Sequence, residues 1–270
     1  MGERTGAGPR GLARKRFGQH FLHDPGVIAR IVEAIDPDRE RRLIEIGPGH
    51  GALTFPLLER AGRLEVIEID RDLVPALIER AQGAGELIVH EADVLEVDFA
   101  TLAGPGRTLR LCGNLPYNIS TPLLFHVLAA GTSLIDMHFM LQREVVARMA
   151  ASPDTGEYGR LTVMLAVQCQ VEHLFDVGPG AFRPPPAVHS SIVRLVPHAA
   201  PPFPIADATR FALVVARAFG QRRKTLRNSL KHVVDGAGFE ATGIDAGRRA
   251  ETLSPEEFAR LAATRAPAPL

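Results

Sequence analysis

The stretch that decides the fold reads Arg42-Leu-Ile-Glu-Ile-Gly-Pro-Gly-His-Gly51. Its apolar first half predicts a β-strand over 42–46, and the sequence after it predicts a helix over 52–60. A glycine-rich turn between a strand and a helix lets the backbone approach a ligand closely, with helix N–H groups directed at that ligand. A dinucleotide site favours Gly-x-Gly-x-x-Gly around a pyrophosphate, whereas the spacing here is Gly-x-Gly-x-Gly, with Glu45 before it. The turn therefore favours a ligand without phosphates.

The next predicted strand, 63–70, places Glu68 and Asp70 on the same face, because side chains alternate along a strand. Glu68 lies 21 residues after Gly47, near the distance at which an acid binds the ribose hydroxyls in a Rossmann-type site. An acid that simply ends a strand is a common alternative. The spacing favours Glu68 over Asp70 as the ribose ligand.

Two further predicted strands end on polar side chains. Asp93 follows the strand 86–90, and its carboxylate could either accept from an adenine amino group or cap the turn that follows. Asn114 ends the strand that begins at residue 108. Together with Glu68, these side chains fall at the carboxyl edge of a presumed parallel sheet, where folds of this type bind ligands.

The sequence Asn114-Leu-Pro-Tyr117 brings an amide, a backbone carbonyl and an aromatic ring to one place. Pro116 biases Leu115 towards extended geometry and has no N–H donor of its own. The side-chain oxygen of Asn114 and the carbonyl of Leu115 can then face one small space, with Tyr117 as a flat wall. Two acceptors beside a ring suit a planar group that carries an NH2, such as adenine. The alternative is a plain turn after a strand.

A second aromatic side chain begins the stiff loop Phe182-Arg-Pro-Pro-Pro-Ala-Val188. Opposite Tyr117, Phe182 would close a stacking slot around a base, and base–aromatic stacking contributes about 1–3 kcal/mol. A buried anchor would explain Phe182 equally well.

The rest of the pattern indicates two domains in a chain of 270 residues. The main domain is an α/β fold with a sheet of seven strands, mostly parallel, whose last three strands are predicted over 133–141, 171–177 and 190–196. Before the first of the main strands, Asp24 and Pro25 are predicted as the N-cap and first residue of a helix. Helices between the later strands are predicted over 120–130, 143–151 and 159–170. After a proline-rich segment, 197–204, the pattern is helical over 208–219, 224–234 and 254–262, and the last helix is predicted to open with a capping box of Ser254 and Glu257. We expect a disordered tail over 1–13, a main domain over 14–197 and a helical domain over 205–270.

The formal net charge of +0 hides an asymmetric distribution. The segments 9–23 and 217–232 contain basic residues and no acids, whereas 65–98 contains ten acids. This pattern suggests a polyanion bound at the edges and a neutral or cationic group bound in the middle. Histidines and cysteines show no metal-ligand spacing, so we expect no metal. No apolar run approaches a membrane span, and we expect a cytoplasmic protein with buried thiols at Cys112 and Cys169.

Five motifs of this chain resemble those of the ribosomal RNA adenine N6-dimethyltransferase family, and in particular its bacterial small-subunit branch. They are Phe17-Gly-Gln-His-Phe-Leu22, Glu45-Ile-Gly-Pro-Gly-His-Gly51, Asn114-Leu-Pro-Tyr-Asn-Ile-Ser-Thr121, Leu141-Gln-Arg-Glu-Val-Val146 and Phe182-Arg-Pro-Pro-Pro186. The resemblance implies an S-adenosylmethionine cofactor, a Rossmann-like methyltransferase sheet and a helical RNA-binding domain at the C-terminus. It also implies a substrate, two adjacent adenines near the 3′ end of 16S rRNA that each receive two methyl groups, and we expect a monomer.

By position, the resemblance implies that the cofactor contacts His20, Leu22, Gly47, Glu68, Asp93 and Asn114. The glycine turn itself adds Glu45 and Gly49 to the predicted cofactor contacts. The pattern of acceptors and rings predicts that the target adenine contacts Asn114, Leu115, Tyr117 and Phe182. The basic segments predict that the RNA contacts Arg14, Lys15, Arg16, Arg222, Arg223, Lys224 and Arg227. At His20 the best-known family members have an asparagine, so this chain departs from the family pattern there.

Three other functions fit parts of the sequence. Large-subunit rRNA dimethylases share the chemistry, but they tend to be strongly basic and often read Asn-Ile-Pro-Tyr, whereas this chain has a pI of about 7.2 and Leu115. A ribosome-assembly factor whose methylation is secondary would also explain the two basic patches. The glycine spacing counts against the third, an NAD-dependent dehydrogenase.

Overall fold

The structure, a computed structural model, describes residues 20–106, 108–117, 119–221 and 223–264. Within these residues the strands are β1 (Phe21–Leu22), β2 (Arg42–Ile46), β3 (Arg63–Glu68), β4 (Glu86–Glu91), β5 (Leu109–Asn114), β6 (Leu134–Gln142), β7 (Cys169–Val177), β8 (Phe182–Arg183) and β9 (Ser190–Pro197). The helices are α1 (Pro25–Ile35), α2 (Thr54–Ala61), α3 (Val74–Ala81), α4 (Phe99–Ala103), α5 (Ser120–Leu128), α6 (Arg143–Met149), α7 (Arg160–Ala166), α8 (Ala208–Phe219), α9 (Leu226–Ser229), α10 (Gly236–Thr242) and α11 (Pro255–Ala263). The predicted tail, 1–13, lies outside the described residues.

Seven strands of the described chain form one sheet in the order β4-β3-β2-β5-β6-β9-β7. The first five are parallel to one another, while β9 and β7 run antiparallel to their neighbours. The chain runs from β2 outwards to β4, and then returns to the other side of β2 with β5. The strand order therefore reverses between β2 and β5, and a ligand crevice forms at such a switch point. The predicted α/β fold class is confirmed.

The close packing of β2 and β5 at this switch point depends on Gly113. A Cβ atom at this position would lie 2.4 Å from the carbonyl oxygen of Ile46. Only glycine lets the two backbones approach so closely. This contact fixes the start of the glycine turn directly beside Asn114.

The two faces of the sheet bury different helices. One core joins Ile44, Leu111 and Phe139 to the apolar side of α5. The other joins Leu43, Leu64 and Cys112 to α1 and α2. Because side chains alternate along each strand, Glu45, Glu68 and Asn114 all project from the face that α1 and α2 cover.

The chain before α1 is fastened to the chain before β9 by a small antiparallel sheet of β1 and β8. Leu22 pairs with Phe182, and Phe21 pairs with Arg183. Helix α1 then begins as predicted, because the side chain of Asp24 accepts a hydrogen bond from the Val27 N–H at 2.9 Å. This attachment holds residues 20–22 across the carboxyl edge of the main sheet.

Two predicted helices differ from the structure. Helix α7 ends at Ala166, and Cys169 already belongs to β7, so the helix predicted over 159–170 is too long. The helix predicted over 224–234 is the four-residue helix α9 followed by a turn. Here tertiary contacts compete with local propensity, because the backbone N–H groups of Leu226 and Arg227 donate to carbonyls of the segment 246–248.

The C-terminal helices form a third core that extends beyond the predicted boundary at 197–204. Tyr158 and Val163 belong to this core with Phe211 and Phe258. The Tyr158 hydroxyl also donates to the carbonyl of Leu253 at 2.8 Å. The helical domain therefore packs on residues that precede the boundary. The capping box predicted for the last helix is present, with Ser254 and Glu257 each accepting from the other's backbone N–H.

Candidate active site

The glycine turn follows β2 and contacts the ends of two other strands, β1 and β3. The Gly47 N–H donates to the carbonyl of Ile67 at 2.9 Å, and the Gly49 N–H donates to Glu68 Oε2 at 3.2 Å. Gly49 has a φ of 56°, and a Cβ atom there would lie 3.2 Å from the Phe21 ring. The turn therefore needs glycine at this position, and its backbone lies against both β1 and β3.

Two cavities meet at this turn. The one that we call the tyrosine cavity extends from the turn towards Tyr117, and the carboxylate cavity extends from it towards Glu68 and Asp93. Both cavities are lined by Gly47, Gly49, Asn114 and Pro116. The structure thus brings every predicted cofactor residue to one of the two cavities: His20, Leu22 and Glu45 line the first, Glu68 and Asp93 line the second, and Gly47, Gly49 and Asn114 line both.

Glu68 lies in the carboxylate cavity with both oxygens hydrogen-bonded. Oε1 accepts from the Asp70 N–H at 2.8 Å, and Oε2 accepts from the Gly49 N–H. Burial raises the pKa of Glu68 above its ordinary value, against the lowering effect of these bonds. Asp70 does not line this cavity. The arrangement favours Glu68, as the spacing does.

Asp93 caps a turn and also lines the carboxylate cavity. Its Oδ1 accepts from the Leu95 N–H at 3.0 Å, which caps the short 3-10 helix Val94–Glu96. The residue also lines the carboxylate cavity. Capping therefore fixes the carboxylate at the edge of the cavity, where it can accept from a ligand.

The walls of the carboxylate cavity are apolar side chains that the sequence analysis did not single out. They are Ile46, Ile67, Ile69, Val94, Leu95 and Ile119. Ile69 is 49% exposed and Leu95 is 36% exposed, which is unusual for large apolar residues. Ile69 directly follows Glu68, and Leu95 lies two positions after Asp93. Their position next to these acids is the sequence signal that could have identified them as cavity residues. No Lys or Arg is among the described residues that line this cavity. It is therefore suited to a flat apolar group with polar edges and no phosphates.

The tyrosine cavity holds Asn114 in one orientation. Asn114 Nδ2 donates to the carbonyl oxygen of His20 at 3.0 Å, so its Oδ1 points away from that contact. Tyr117 is half-buried, and its hydroxyl shares a hydrogen bond of 2.8 Å with Ser190 Oγ. Burial raises the pKa of Tyr117, and the Ser190 hydroxyl partly offsets the rise. The Tyr117 hydroxyl and the Asn114 amide are therefore both held by hydrogen bonds to distant parts of the chain.

Phe182 does not face Tyr117 across the cavity, contrary to the stacking prediction. Its side chain is 2% exposed and packs in the core with Leu22 and Val177. The pairing of β8 with β1 turns the ring inwards, so the buried-anchor alternative describes it. The ring beside Tyr117 is that of His20, with centroids 5.9 Å apart and planes inclined by 30°.

Glu45 lies beneath the glycine turn and is 2% exposed. Burial raises its pKa to about 7, helped by the nearby charge of Glu68 and opposed by the Thr54 hydroxyl, which donates to Glu45 Oε2 at 2.6 Å. A buried carboxyl with this pKa changes charge near neutral pH. It can respond to a cation in the cavity above it.

The predicted RNA contacts are only partly described. Arg223, Lys224 and Arg227 are exposed around the start of α9. The other predicted RNA contacts lie outside the described residues: Arg14, Lys15, Arg16 and Arg222. Among the residues that the structure describes, we find no cluster suited to a metal ion and no helix that could cross a membrane.

The switch-point crevice, the short glycine turn and a cavity with carboxylates in place of cations define a Rossmann-like methyltransferase. Comparisons with known proteins agree. A family model described as "Ribosomal RNA adenine dimethylase" matches residues 11–266. The Ribosomal RNA small subunit methyltransferase A of Chromohalobacter salexigens is 55% identical, over 94% of this chain and 92% of that protein.

Two solved structures extend the comparison. A dimethyladenosine transferase from Plasmodium falciparum is similar with a TM-score of 0.77 and 26% identity, over 90% of this chain and 96% of the other. The 23S rRNA methyltransferase ErmE is similar with a TM-score of 0.69 and 29% identity, over 90% and 98%. The chain belongs to the ribosomal RNA adenine dimethylase family. It is an S-adenosylmethionine-dependent rRNA dimethyltransferase, as the motifs predicted.

Proposed function

We propose that this enzyme converts two adjacent adenines in the 3′-terminal hairpin of 16S rRNA to N6,N6-dimethyladenine. The choice of the small subunit is supported by the 55% identity to a small-subunit methyltransferase, against 29% identity to a 23S rRNA methyltransferase. Leu115 in the motif after β5 supports the same choice. The substrate is then an RNA hairpin on the ribosomal subunit whose target bases leave the stack to enter the tyrosine cavity.

In this proposal the carboxylate cavity binds the nucleoside part of S-adenosylmethionine. Glu68 would accept from the ribose hydroxyls and Asp93 from the adenine amino group, while Glu45, His20, Leu22 and the glycine turn would hold the methionine part. The cofactor supplies a methyl group that is already activated on a cationic sulfur. The acidic surroundings stabilise that charge.

Asn114 carries the proposal because it lines both cavities and its orientation is fixed. Its Oδ1 and the carbonyl of Leu115 would accept the two N6 hydrogens of the target adenine, while Tyr117 stacks on the base. The N6 lone pair is delocalised into the ring. Two acceptors favour the pyramidal, attacking form and stabilise the positive charge that develops on N6.

Positioning supplies most of the rate in this mechanism. Holding N6 in line with the transferable methyl can contribute on the order of 7–11 kcal/mol. A strong general base is not required, because the proton leaves N6 readily once this atom carries a positive charge. After the first transfer one N–H remains, so the cavity must accept a methyl group where one acceptor contact had been.

The exposed cations around α9 would bind the RNA backbone outside the cavity. Replacing Arg223, Lys224 and Arg227 with alanine should weaken RNA binding and reduce the slope of log affinity against log salt by roughly 0.7–0.9 per lost phosphate contact. The equilibrium is measured by filter binding across a salt series. An unchanged slope would remove this patch from the RNA interface.

We further propose that the enzyme acts as a monomer in the cytoplasm, on small subunits during their assembly. The decisive experiment is mass spectrometry of both rRNAs from cells that lack this protein. We expect two unmethylated adenines in the 16S rRNA and an unchanged 23S rRNA, with the methylation restored by purified protein and S-adenosylmethionine. Loss of a modification from 23S rRNA would instead support the large-subunit alternative.

A further inference from the structure

His20 contacts three separate parts of the tyrosine cavity. Its ring Nδ1 lies 2.8 Å from the carbonyl oxygen of Pro184, and its ring stacks beside Tyr117. Its backbone carbonyl accepts from Asn114 Nδ2 at 3.0 Å.

The strand pairing explains how one residue makes all three contacts. Phe21 and Leu22 pair with Arg183 and Phe182, and the His23 N–H donates to the Ala181 carbonyl at 2.9 Å. His20 and Pro184 lie just beyond the Phe21–Arg183 pair, so the end of the small sheet brings the His20 ring to the Pro184 carbonyl. The same pairing holds the His20 backbone beside Asn114, whose Nδ2 donates to the His20 carbonyl.

The ring contact also fixes the tautomer of His20. A carbonyl oxygen can only accept, so Nδ1 must carry the hydrogen that points at Pro184. The ring is then tied at one edge to the proline loop, and its face lies against Tyr117. Rotation of the ring would break the hydrogen bond and the stacking contact at the same time.

We propose that His20 is a positioning residue for the target base: it holds the Tyr117 ring and the Pro184 loop in register with Asn114. The inference rests on the proposed function of the tyrosine cavity. It assigns to the imidazole a task on the acceptor side of the site, apart from any contact with the cofactor. Removing the ring should therefore impair the use of RNA more than the binding of S-adenosylmethionine.

The test compares His20→Ala with His20→Asn and with a control at the neighbouring exposed histidine, His23→Ala. Asparagine restores an N–H donor close to the position of Nδ1, whereas alanine restores nothing. Each variant is assayed for methyl transfer to undermethylated small subunits, with kcat and KM for the RNA measured at saturating cofactor. Cofactor affinity is measured separately by calorimetry, and the melting temperature reports folding.

For His20→Ala we expect kcat/KM for the RNA to fall by about tenfold, the combined effect of one hydrogen bond and one ring contact. Cofactor affinity should fall by a smaller factor than kcat/KM, because the imidazole contacts Tyr117 and the Pro184 carbonyl on the acceptor side. His20→Asn should recover at least part of the loss, and His23→Ala should resemble the wild type. Equal losses of cofactor affinity and activity would overturn the proposal, as would a wild-type kcat/KM in His20→Ala.

These outcomes are separable from a failure of the proposed substrate. If the wild-type protein methylates large subunits and not small ones, the same variants are compared on large subunits. The ratio of each variant to the wild type then still decides the role of His20.

Discussion

The two cavities that meet at the glycine turn present oxygen atoms in different ways. In the carboxylate cavity the acceptors are acids, Glu68 and Asp93, each held by backbone N–H groups. In the tyrosine cavity Glu45 lies beneath the glycine turn, whereas the groups near the ring, the amide of Asn114 and the hydroxyl of Tyr117, are neutral and are held by the His20 carbonyl and the Ser190 hydroxyl. In both cavities the polar groups are fixed before a ligand arrives.

This difference follows from the chemistry of the group that each cavity binds in the proposed function. An acid can accept strongly from ribose hydroxyls and can favour a cationic cofactor. A reacting amine becomes cationic only during transfer, and neutral oxygens can stabilise that charge without holding the product as an ion pair. We therefore expect changes at Asn114 and Tyr117 to reduce methyl transfer, and changes at Glu68 and Asp93 to reduce cofactor affinity.

The largest effect is expected for Asn114→Ala. Losing a fixed partner of the developing charge costs about 10²–10³ in rate, as at comparable polar sites. The rate is measured by transfer of tritiated methyl groups. Cofactor affinity, measured by calorimetry, should change by less than about threefold, because this side chain acts on the target amine. Wild-type turnover by this variant would refute the role assigned to the amide.

Asn114→Asp is the matched control. It keeps the side-chain oxygens but lacks the Nδ2 donor that binds the His20 carbonyl. We expect its rate to fall between those of the wild type and the alanine variant. A rate equal to that of the alanine variant would show that orientation matters as much as the acceptor.

The next-largest effect on methylation is expected at Tyr117, and we compare it with the effect of the same substitution at Phe182. Tyr117→Ala should reduce kcat/KM for RNA by about 5–150-fold, because base stacking contributes roughly 1–3 kcal/mol. Phe182→Ala should instead lower the free energy of unfolding by about 3–5 kcal/mol, since it leaves a cavity in the core. Methylation assays and denaturant titrations of both variants separate the two. A stable Phe182→Ala protein with impaired RNA methylation would restore the stacking role that this structure does not give to Phe182.

A smaller effect is expected in the carboxylate cavity. Glu68→Gln keeps one acceptor oxygen and removes the charge, so cofactor affinity should fall by about tenfold, or 1.4 kcal/mol. Asp70→Asn is the control, because Asp70 is also buried but does not line the cavity. Calorimetric titration with S-adenosylmethionine measures both. Equal losses of cofactor affinity in the two variants would contradict the assignment of the ribose hydroxyls to Glu68 alone.

The smallest effect is a proton released on cofactor binding. The pKa of Glu45 is raised to about 7, and a cation above it should favour the ionised form. Near pH 7 we expect binding to release about half a proton. Titrations in two buffers with different ionisation enthalpies measure this number. Glu45→Gln should abolish it, and an unchanged release in that variant would assign the proton to another group.

The same group affects stability with a definite sign. Because its folded-state pKa, about 7, lies above the ordinary value of 4.5, the folded protein binds this proton more tightly. The stability contribution of Glu45 is therefore fully present below about pH 4.5 and is lost as pH rises towards 7, by up to about 3 kcal/mol. The free energy of unfolding, measured by denaturant titration across this pH range, should therefore decrease more steeply with pH in the wild type than in Glu45→Gln.

Much of the fold was predictable, because short-range rules decide it. Strand β2 has the predicted bounds, and α1 begins at its predicted cap, Asp24. The acids Glu68 and Asp93 come to one cavity, because parallel strands expose their carboxyl ends at one edge. Asp93 caps a turn and also lines this cavity, so capping does not rule out the predicted contact with the cofactor.

The predictions that the structure contradicts have a common physical cause. The length of α9 depends on carbonyls of the segment 246–248, and the burial of Phe182 depends on the pairing of β8 with β1. In each case a partner distant in sequence overrides the local pattern.

The amino-acid sequence by itself determined which chemical groups reach the carboxyl edge of the sheet, because glycine positions and a period of two are local properties of the chain. Only the tertiary structure decided how those groups point. Asn114 is oriented by a carbonyl 94 residues away, and Tyr117 by a hydroxyl 73 residues away. Such contacts form only when distant segments pack together, so the direction of a hydrogen-bonding group cannot be read from its neighbours in the sequence.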